Sequence, residues 1–366
     1  MTVVRLWMQR VALLIMAGFA AVAPAQAQTV LRFGFPGVGA DARPFSAGDI
    51  LNYVHAREIL EKEFAGDKDI SVTWTFFRGA GPALNESFAA GQLDFFLLGD
   101  LPAIVGRSRG LEHKFLLATG RHGPIYLAVQ ADSDIHGIDD LKGRKVAVFK
   151  GTNLQIATDR VLAAHHLAEK DLRFVNLDAG AAVSALTGGN VDAVFGGPEF
   201  LEVARKGVVR IIYSTKGDEP TLGRNSSFLV SSAFERAHPE LVQRVVTAIV
   251  RAAAFASRPE NRAEVFDAWT LSGFPKETFE ADFAGDTLAN RVNPLIDDYV
   301  VARYKDQAAA ARVYGLLKTD VDIDGWFERK YLDTALRDLK LQAFWPAYGA
   351  TGEIVRPGNL GVGTAQ

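Results

Sequence analysis

The chain contains no cysteine. That excludes disulfides, thiolate nucleophiles and thiolate metal ligands, and it leaves no residue for a lipid-modified N-terminus. Histidine is scarce, with seven in 366 residues, and its placement does not suggest coordination. His165 and His166 are neighbours late in an expected helix, and His55 and His122 have no carboxylate partner at ligand spacing, so neither a metal nor another cofactor is expected. Charge of one sign is also lacking. Lys and Arg number 40 against 43 acids, a formal charge of −3, and no concentrated basic face invites a nucleic acid. Beyond the first residues there is no apolar run approaching the ~20 needed to span a bilayer.

The N-terminus has the make-up of an export signal. Arg5 and Arg10 lie on either side of Met8, an apolar run covers residues 11–22, and Ala25-Gln26-Ala27 has the small-x-small form of a cleavage site. Residues 1–27 therefore read as a signal peptide cut after Ala27, which removes two arginines and takes the charge from −3 to −3 − 2 = −5. The remainder belongs to a chain that is 48% hydrophobic and 23% charged, enough for a sizeable core in one large or two modest domains.

The densest pattern covers residues 78–110. Gly79-Ala80-Gly81-Pro82 predicts a turn opening a helix, with Leu84 and Phe88 on one face and Gly91 as its stop. The apolar run 93–98 predicts a strand covered on both faces, and Gly99-Asp100-Leu101-Pro102 turns it into another helix. Before this come a strand at 31–35, a loop at 36–46, a helix at 48–64 capped by Ser46, and a strand at 72–77. Two strands follow, at 115–119 and 125–130.

The same order of parts returns later in the chain. A strand at 146–149 leads through Lys150-Gly151-Thr152-Asn153 into a helix reaching about residue 166, then a strand at 172–176 and a helix at 179–186. An apolar strand at 191–195 runs into Gly196-Gly197-Pro198-Glu199 and a helix, and strands at 208–214 and 227–231 complete the set. From about residue 239 the pattern is helical, including segments at 308–317, 325–332 and 334–339, and the Gly- and Thr-rich end from 349 reads as loose. Strands alternating with helices through short turns mean an α/β fold with a largely parallel sheet. Its ligands bind where strand ends meet helix N-termini.

Several blocks of this sequence resemble the periplasmic solute-binding proteins of nitrate, taurine and alkanesulfonate ABC importers. They are the run from Gly79 through Ala83-Leu-Asn-Glu-Ser-Phe-Ala-Ala-Gly-Gln-Leu-Asp-Phe95, Gly99-Asp100-x-Pro102, and Asp140-Leu-Lys-Gly-Arg-Lys-Val-Ala-Val-x-Lys-Gly-Thr-Asn153. Phe234-Glu-Arg-Ala-His-Pro-Glu-Leu-Val242 and Val321-Asp-Ile-Asp-Gly-Trp-Phe-Glu328 add to them, so the likeness spans roughly residues 30–345. It implies a two-lobe type II periplasmic-binding-protein fold with a helical C-terminal segment. Lobe one would be residues 28–120 plus 230–345, lobe two 121–229, and 346–366 a flexible tail. It also implies a periplasmic, monomeric receptor without enzymatic activity, delivering a small organic anion such as a sulfonate to ABC permease and ATPase subunits. Two alternatives remain open. Relatives of this superfamily include enzymes built on cysteine, which this chain lacks, and a ligand-sensing partner of a receptor would use the same closure.

The candidate ligand residues follow from this frame. Helix N-termini favour anions without a dedicated cation, which singles out Gly79, Ala80 and Gly81, then Gly99, then Thr152 and Asn153, and Gly197. The resemblance places the Gly-Thr-Asn turn at the ligand head group, although Thr152 also suits a plain N-cap. Asp100 and Glu199 could accept hydrogen bonds from a ligand or cap their own helices. Arg78 and Arg121 are candidate cations, and Phe45 in the long first loop is placed where a ligand tail would lie. Alkanesulfonate binders bring a bulky aromatic after the Val-Asp-Ala strand; here Phe195 is followed by Gly196-Gly197-Pro198, which leaves the ligand's identity open.

Overall fold

A computed structural model describes residues 28–360; the expected signal peptide, 1–27, and the last six residues, 361–366, lie outside the described part. Ten strands form two five-stranded sheets. They are β1 Thr29–Phe35, β2 Ile70–Phe76, β3 Phe95–Gly99, β4 His113–Gly123, β5 Tyr126–Gln130, β6 Lys145–Val148, β7 Arg173–Asn176, β8 Ala193–Gly196, β9 Val209–Ser214 and β10 Arg224–Ser231. The first sheet has the order β2-β1-β3-β10-β4 and the second β7-β6-β8-β5-β9. In each, four strands run in one direction (β1, β2, β3 and β4; β6, β7, β8 and β9) and a single strand, β10 in the first sheet and β5 in the second, runs against them. All three turns that open helices after β2, β3 and β6 therefore leave from the C-terminal ends of parallel strands.

The near-continuous apolar runs are explained by burial on both faces. In the second sheet Leu127, Val129, Val146, Val148, Ala193 and Phe195 enter one cluster, while the alternate residues Ala128, Ala147 and Val194 enter another on the opposite face. In the first sheet Phe33, Phe95 and Phe228 stack across β1, β3 and β10, with ring centroids 4.9 and 5.6 Å apart. The same core takes in the 19-residue helix Pro239–Ser257, whose Leu241, Val242, Val245, Val246, Ile249 and Val250 are buried at helical spacing. Each such aliphatic side chain contributes about 1.5–3 kcal/mol on leaving water.

The chain passes between the sheets twice, from Gly123 to Tyr126 and again between Ser214 and Arg224. The two crossings are tied to each other. Ile125 N–H donates to Thr215 Oγ1 at 3.0 Å, and Thr215 N–H donates to the Ile125 carbonyl at 3.2 Å.

Local differences from the sequence reading have identifiable causes. The helix expected over 48–64 is two helices, Ile50–Ala56 and Ile59–Glu63, because Glu58 takes a left-handed conformation (φ 53°). Its cap is Asp49 rather than Ser46: Asp49 Oδ1 accepts from Leu51 N–H at 2.9 Å, and Asn52 Oδ1 accepts from Asp49 N–H at 3.1 Å. The segments 325–332 and 334–339 merge into one helix, Arg329–Asp338, after a short 3₁₀ turn at Asp324–Trp326. That turn is anchored by Trp326, whose Nε1–H donates to buried His113 Nδ1 at 3.0 Å. Near the C-terminus, Ala347–Tyr348 pairs with Ile354–Arg356 in a small antiparallel ribbon.

Candidate functional site

Two helix starts from opposite lobes are pressed against each other. Gly99 ends β3 before the helix Asp100–Ser108, and a Cβ added there would lie 2.6 Å from Cγ of Asn153, the first residue of the helix Asn153–Ala164. Next to it Gly151, in a left-handed conformation (φ +76°), faces Pro82 of the helix Ala80–Ala89, and a Cβ would come within 2.8 Å of Pro82 Cγ. Only glycine permits both approaches. Two aligned helix N-termini at this separation bring like partial charges together, an arrangement that an anion between them would relieve.

Bridges around this contact hold the lobes closed. Arg78 Nε reaches Asp178 Oδ2 at 3.0 Å, and Asp178 in turn caps the helix Ala179–Thr187 by accepting from Ala181 N–H at 2.9 Å. Tyr126 OH donates to Asp282 Oδ1 at 2.7 Å, and Lys216 Nζ donates to the Ala281 carbonyl at 2.8 Å. Arg160 donates to Gln307 Oε1 at 2.6 Å and to Asp306 Oδ2 at 2.5 Å. Burial, followed by the charge of Asp282, pushes the Tyr126 phenol well above its ordinary range, so it remains a donor.

The structure sorts the predicted residues. Thr152 is the N-cap: Oγ1 accepts from Leu154 N–H at 3.2 Å and donates to the Phe149 carbonyl at 2.7 Å. Asn153 lies in the cleft, its Nδ2 donating to the Asn225 carbonyl at 3.3 Å. Gly79 is exposed at the turn before the helix Ala80–Ala89, and buried Ala80 sits at φ 50°, a left-handed conformation that costs an L-residue about 1–2 kcal/mol. Gly81 serves packing within its own lobe, since a Cβ there would come within 2.4 Å of Pro102 Cβ.

Four candidates are engaged by the protein itself, Asp100 and Glu199 in the helix-start role that was also open to them. Asp100 has no exposure and is fully engaged. Oδ1 accepts from Leu101 N–H at 2.8 Å, and Oδ2 accepts from Gln307 Nε2 at 2.9 Å and from Asn225 N–H and Nδ2 at 3.3 Å each. It is a structural knot, and burial pushes its carboxyl above the usual range. Arg121 is enclosed as well, paired with Asp297 at 2.9 Å and donating to the Asn293 and Leu295 carbonyls, so its charge is spent inside lobe one. Phe45 packs on His55, ring centroids 4.7 Å apart, beside an aromatic group of Phe35, Trp74 and Phe76. Burial lowers that imidazole to about 4. Glu199 Oε1 accepts from Gly197 N–H at 2.8 Å, so the third helix start carries its own carboxylate instead of waiting for one.

Sequence reasoning missed Tyr126, Arg224 and Asn225. All three stand beside the crossings, next to Gly123-Pro124 or Gly223, which were the available signals. Two open cavities lie elsewhere. One of 530 Å³ is lined by Arg107, Lys114 and Arg236, and one of 370 Å³ by Leu332, Leu336 and Arg356, both on the helical side of lobe one. Among the described residues no group of three or more His, Asp or Glu side chains is placed to hold a metal ion, and no helix is long and apolar enough to cross a membrane.

Known proteins resemble this chain in both sequence and fold. The NMT1/THI5-like family matches residues 61–262. A Bacillus subtilis (strain 168) protein named for the binding of aliphatic sulfonates is 26% identical over 275 residues, covering 74% of this chain and 80% of its own length. The crystal structure of a periplasmic sulfonate-binding protein, SsuA from Methylobacillus flagellatus KT, aligns with a TM-score of 0.73 at 26% identity, over 88% of this chain and 98% of that one. A cysteine-to-serine mutant of the enzyme DszB, solved with biphenyl-2-sulfinic acid, aligns at 19% identity with a TM-score of 0.62, over 85% of this chain and 99% of that one, a likeness of fold alone.

Proposed function

Since the chain belongs to the NMT1/THI5-like family, we infer that it is the substrate-binding component of an ABC importer. It works in the periplasm, closes on a small organic sulfonate or related oxyanion, and hands it to membrane subunits. The observation that carries this reading is the contact of Gly99 with Asn153, which aims two helix starts from different lobes at one spot. Binding is the whole function. The related fold of DszB supports chemistry in a protein whose studied mutant replaces a cysteine, and this chain has none to supply.

Closure delivers the signal to the membrane. With the ligand out, the lobes exchange between closed and open forms, and in the open form the bridges Arg78–Asp178, Tyr126–Asp282 and Arg160–Asp306 separate as the lobes turn about the paired crossings at Ile125 and Thr215. With the ligand in, the anion offsets the mutual repulsion of the helix starts and the bridges re-form.

A thermal-shift series tests the proposal. Ethanesulfonate, taurine and nitrate are compared with ethanol and ethylamine; a ligand at a hundred times its Kd adds about 2.7 kcal/mol of stability. A sulfonate is expected to raise the melting temperature. A shift produced only by the neutral or cationic compounds would sink the anion reading.

A further inference from the structure

Resting on that reading of the cleft, we propose that Arg224 is the residue that selects the anionic head group. Five other arginines near the contacts between the lobes already have carboxylate partners: Arg78 has Asp178, Arg121 has Asp297, Arg160 and Arg303 share Asp306, and Arg291 has Asp282 and Asp286. Arg224 forms no ion pair among the described residues. Its guanidinium makes one hydrogen bond, from Nη2 to the Pro124 carbonyl at 2.9 Å, and its Nε is buried without an acceptor. A guanidinium stays charged at any physiological pH, and a buried N–H left without an acceptor costs about 1–3 kcal/mol, more when charged. An oxyanion supplies both what the charge and what the donors lack.

Its position is that of a ligand group tied to the hinge. Arg224 begins β10 at one crossing, while Pro124, which accepts its hydrogen bond, lies in the other. The next residue, Asn225, accepts from Asn153 Nδ2 and donates to Asp100, so the two apposed helix starts meet one step along the strand. On the other side, a Cβ added to Gly197 would lie 3.6 Å from Arg224 Nη2 and 2.7 Å from Glu199 Oε2. A guanidinium and a carboxylate thus flank one glycine without pairing. That combination favours a monoanion with a neutral or cationic tail and works against a dianion such as sulfate. A planar, multiply donating fork suits the oxygens of a sulfonate better than a point charge does.

Calorimetric titration of the full chain with ethanesulfonate and with the neutral ethanesulfonamide tests the assignment. Wild type is expected to prefer the sulfonate by about 100-fold or more, and Arg224→Met to lose most of that preference while binding the sulfonamide about as before. Arg224→Lys keeps the charge and is expected to lose roughly tenfold in sulfonate affinity while still preferring it. Wild-type discrimination in Arg224→Met overturns this assignment alone. Should that variant not fold, unchanged sulfonate affinity in Arg224→Lys overturns it instead. A wild-type protein that binds neither compound overturns the transport reading, and this inference with it.

Discussion

Asp159 lies in the helix Asn153–Ala164 at 6% exposure, and neither of its carboxylate oxygens has a hydrogen-bond partner among the described residues. Burial, reinforced by the negative charge of Glu169 and only partly countered by Lys150, raises its pKa to about 7. The folded protein therefore holds this proton more tightly than the unfolded chain does. The associated stability is complete below the usual carboxyl range near 4 and is lost as pH rises through about 7. Asp159→Asn removes the charge at nearly constant volume. Urea midpoints are expected to show the variant about 1–3 kcal/mol more stable than wild type at pH 8 and nearly level with it at about pH 4. An equal difference at both pH values would rule out titration as the cause. Lys150 and Gln155 both bond Glu169, and Gln155 also accepts from Gly151 N–H at 2.6 Å, so this polar group stands directly behind the cleft turn.

At the scale of elements, the meeting of the helix starts is the feature most open to a steric test. Gly99 has φ −65°, which any residue adopts, so a substitution there leaves the open lobe unstrained. In the closed protein its new side chain would collide with Asn153. Gly99→Val is expected to keep an apo melting temperature within a few degrees of wild type and to weaken sulfonate binding by about 10-fold or more, as overpacking of 1–3 kcal/mol is charged to the closed state alone. Full affinity in this variant would show that closure does not bring the two helix starts together. Most of these elements were legible in the sequence, because apolar runs of strand length and Gly or Pro punctuation are local signals. The break at Glu58 was not. A left-handed glutamate has no local signature in the sequence.

Across the whole molecule, closure rests on a small number of bridges, and the buried Tyr126–Asp282 hydrogen bond joins lobe two to the helical part of lobe one. Tyr126→Phe deletes only the hydroxyl, and Asp282 keeps its partner Arg291. Removing a hydrogen bond to a charged group is expected to shift the lobe equilibrium by about 1.5–3 kcal/mol toward the open form. Small-angle scattering of the variant would then give a larger radius of gyration without ligand and a return to the wild-type value at saturating sulfonate. An unchanged radius without ligand would mean that this bond does not hold the lobes.

What the sequence by itself determined is the class of protein: an α/β chain without cysteine, with Gly-marked helix starts at Gly79, Gly99, Gly151 and Gly196 and motifs that resemble the solute-binding proteins of nitrate, taurine and alkanesulfonate importers. Those features are local, set by turn chemistry and residue spacing. Only the tertiary structure decided how the charges are used. Asp100 became a buried knot, Arg121 a partner of Asp297, and Arg224 an unpaired cation at the hinge. The physical reason is that an ion pair depends on which strands and helices meet across more than a hundred residues of chain, as Arg121 meets Asp297 and Tyr126 meets Asp282, and no spacing rule carries that information.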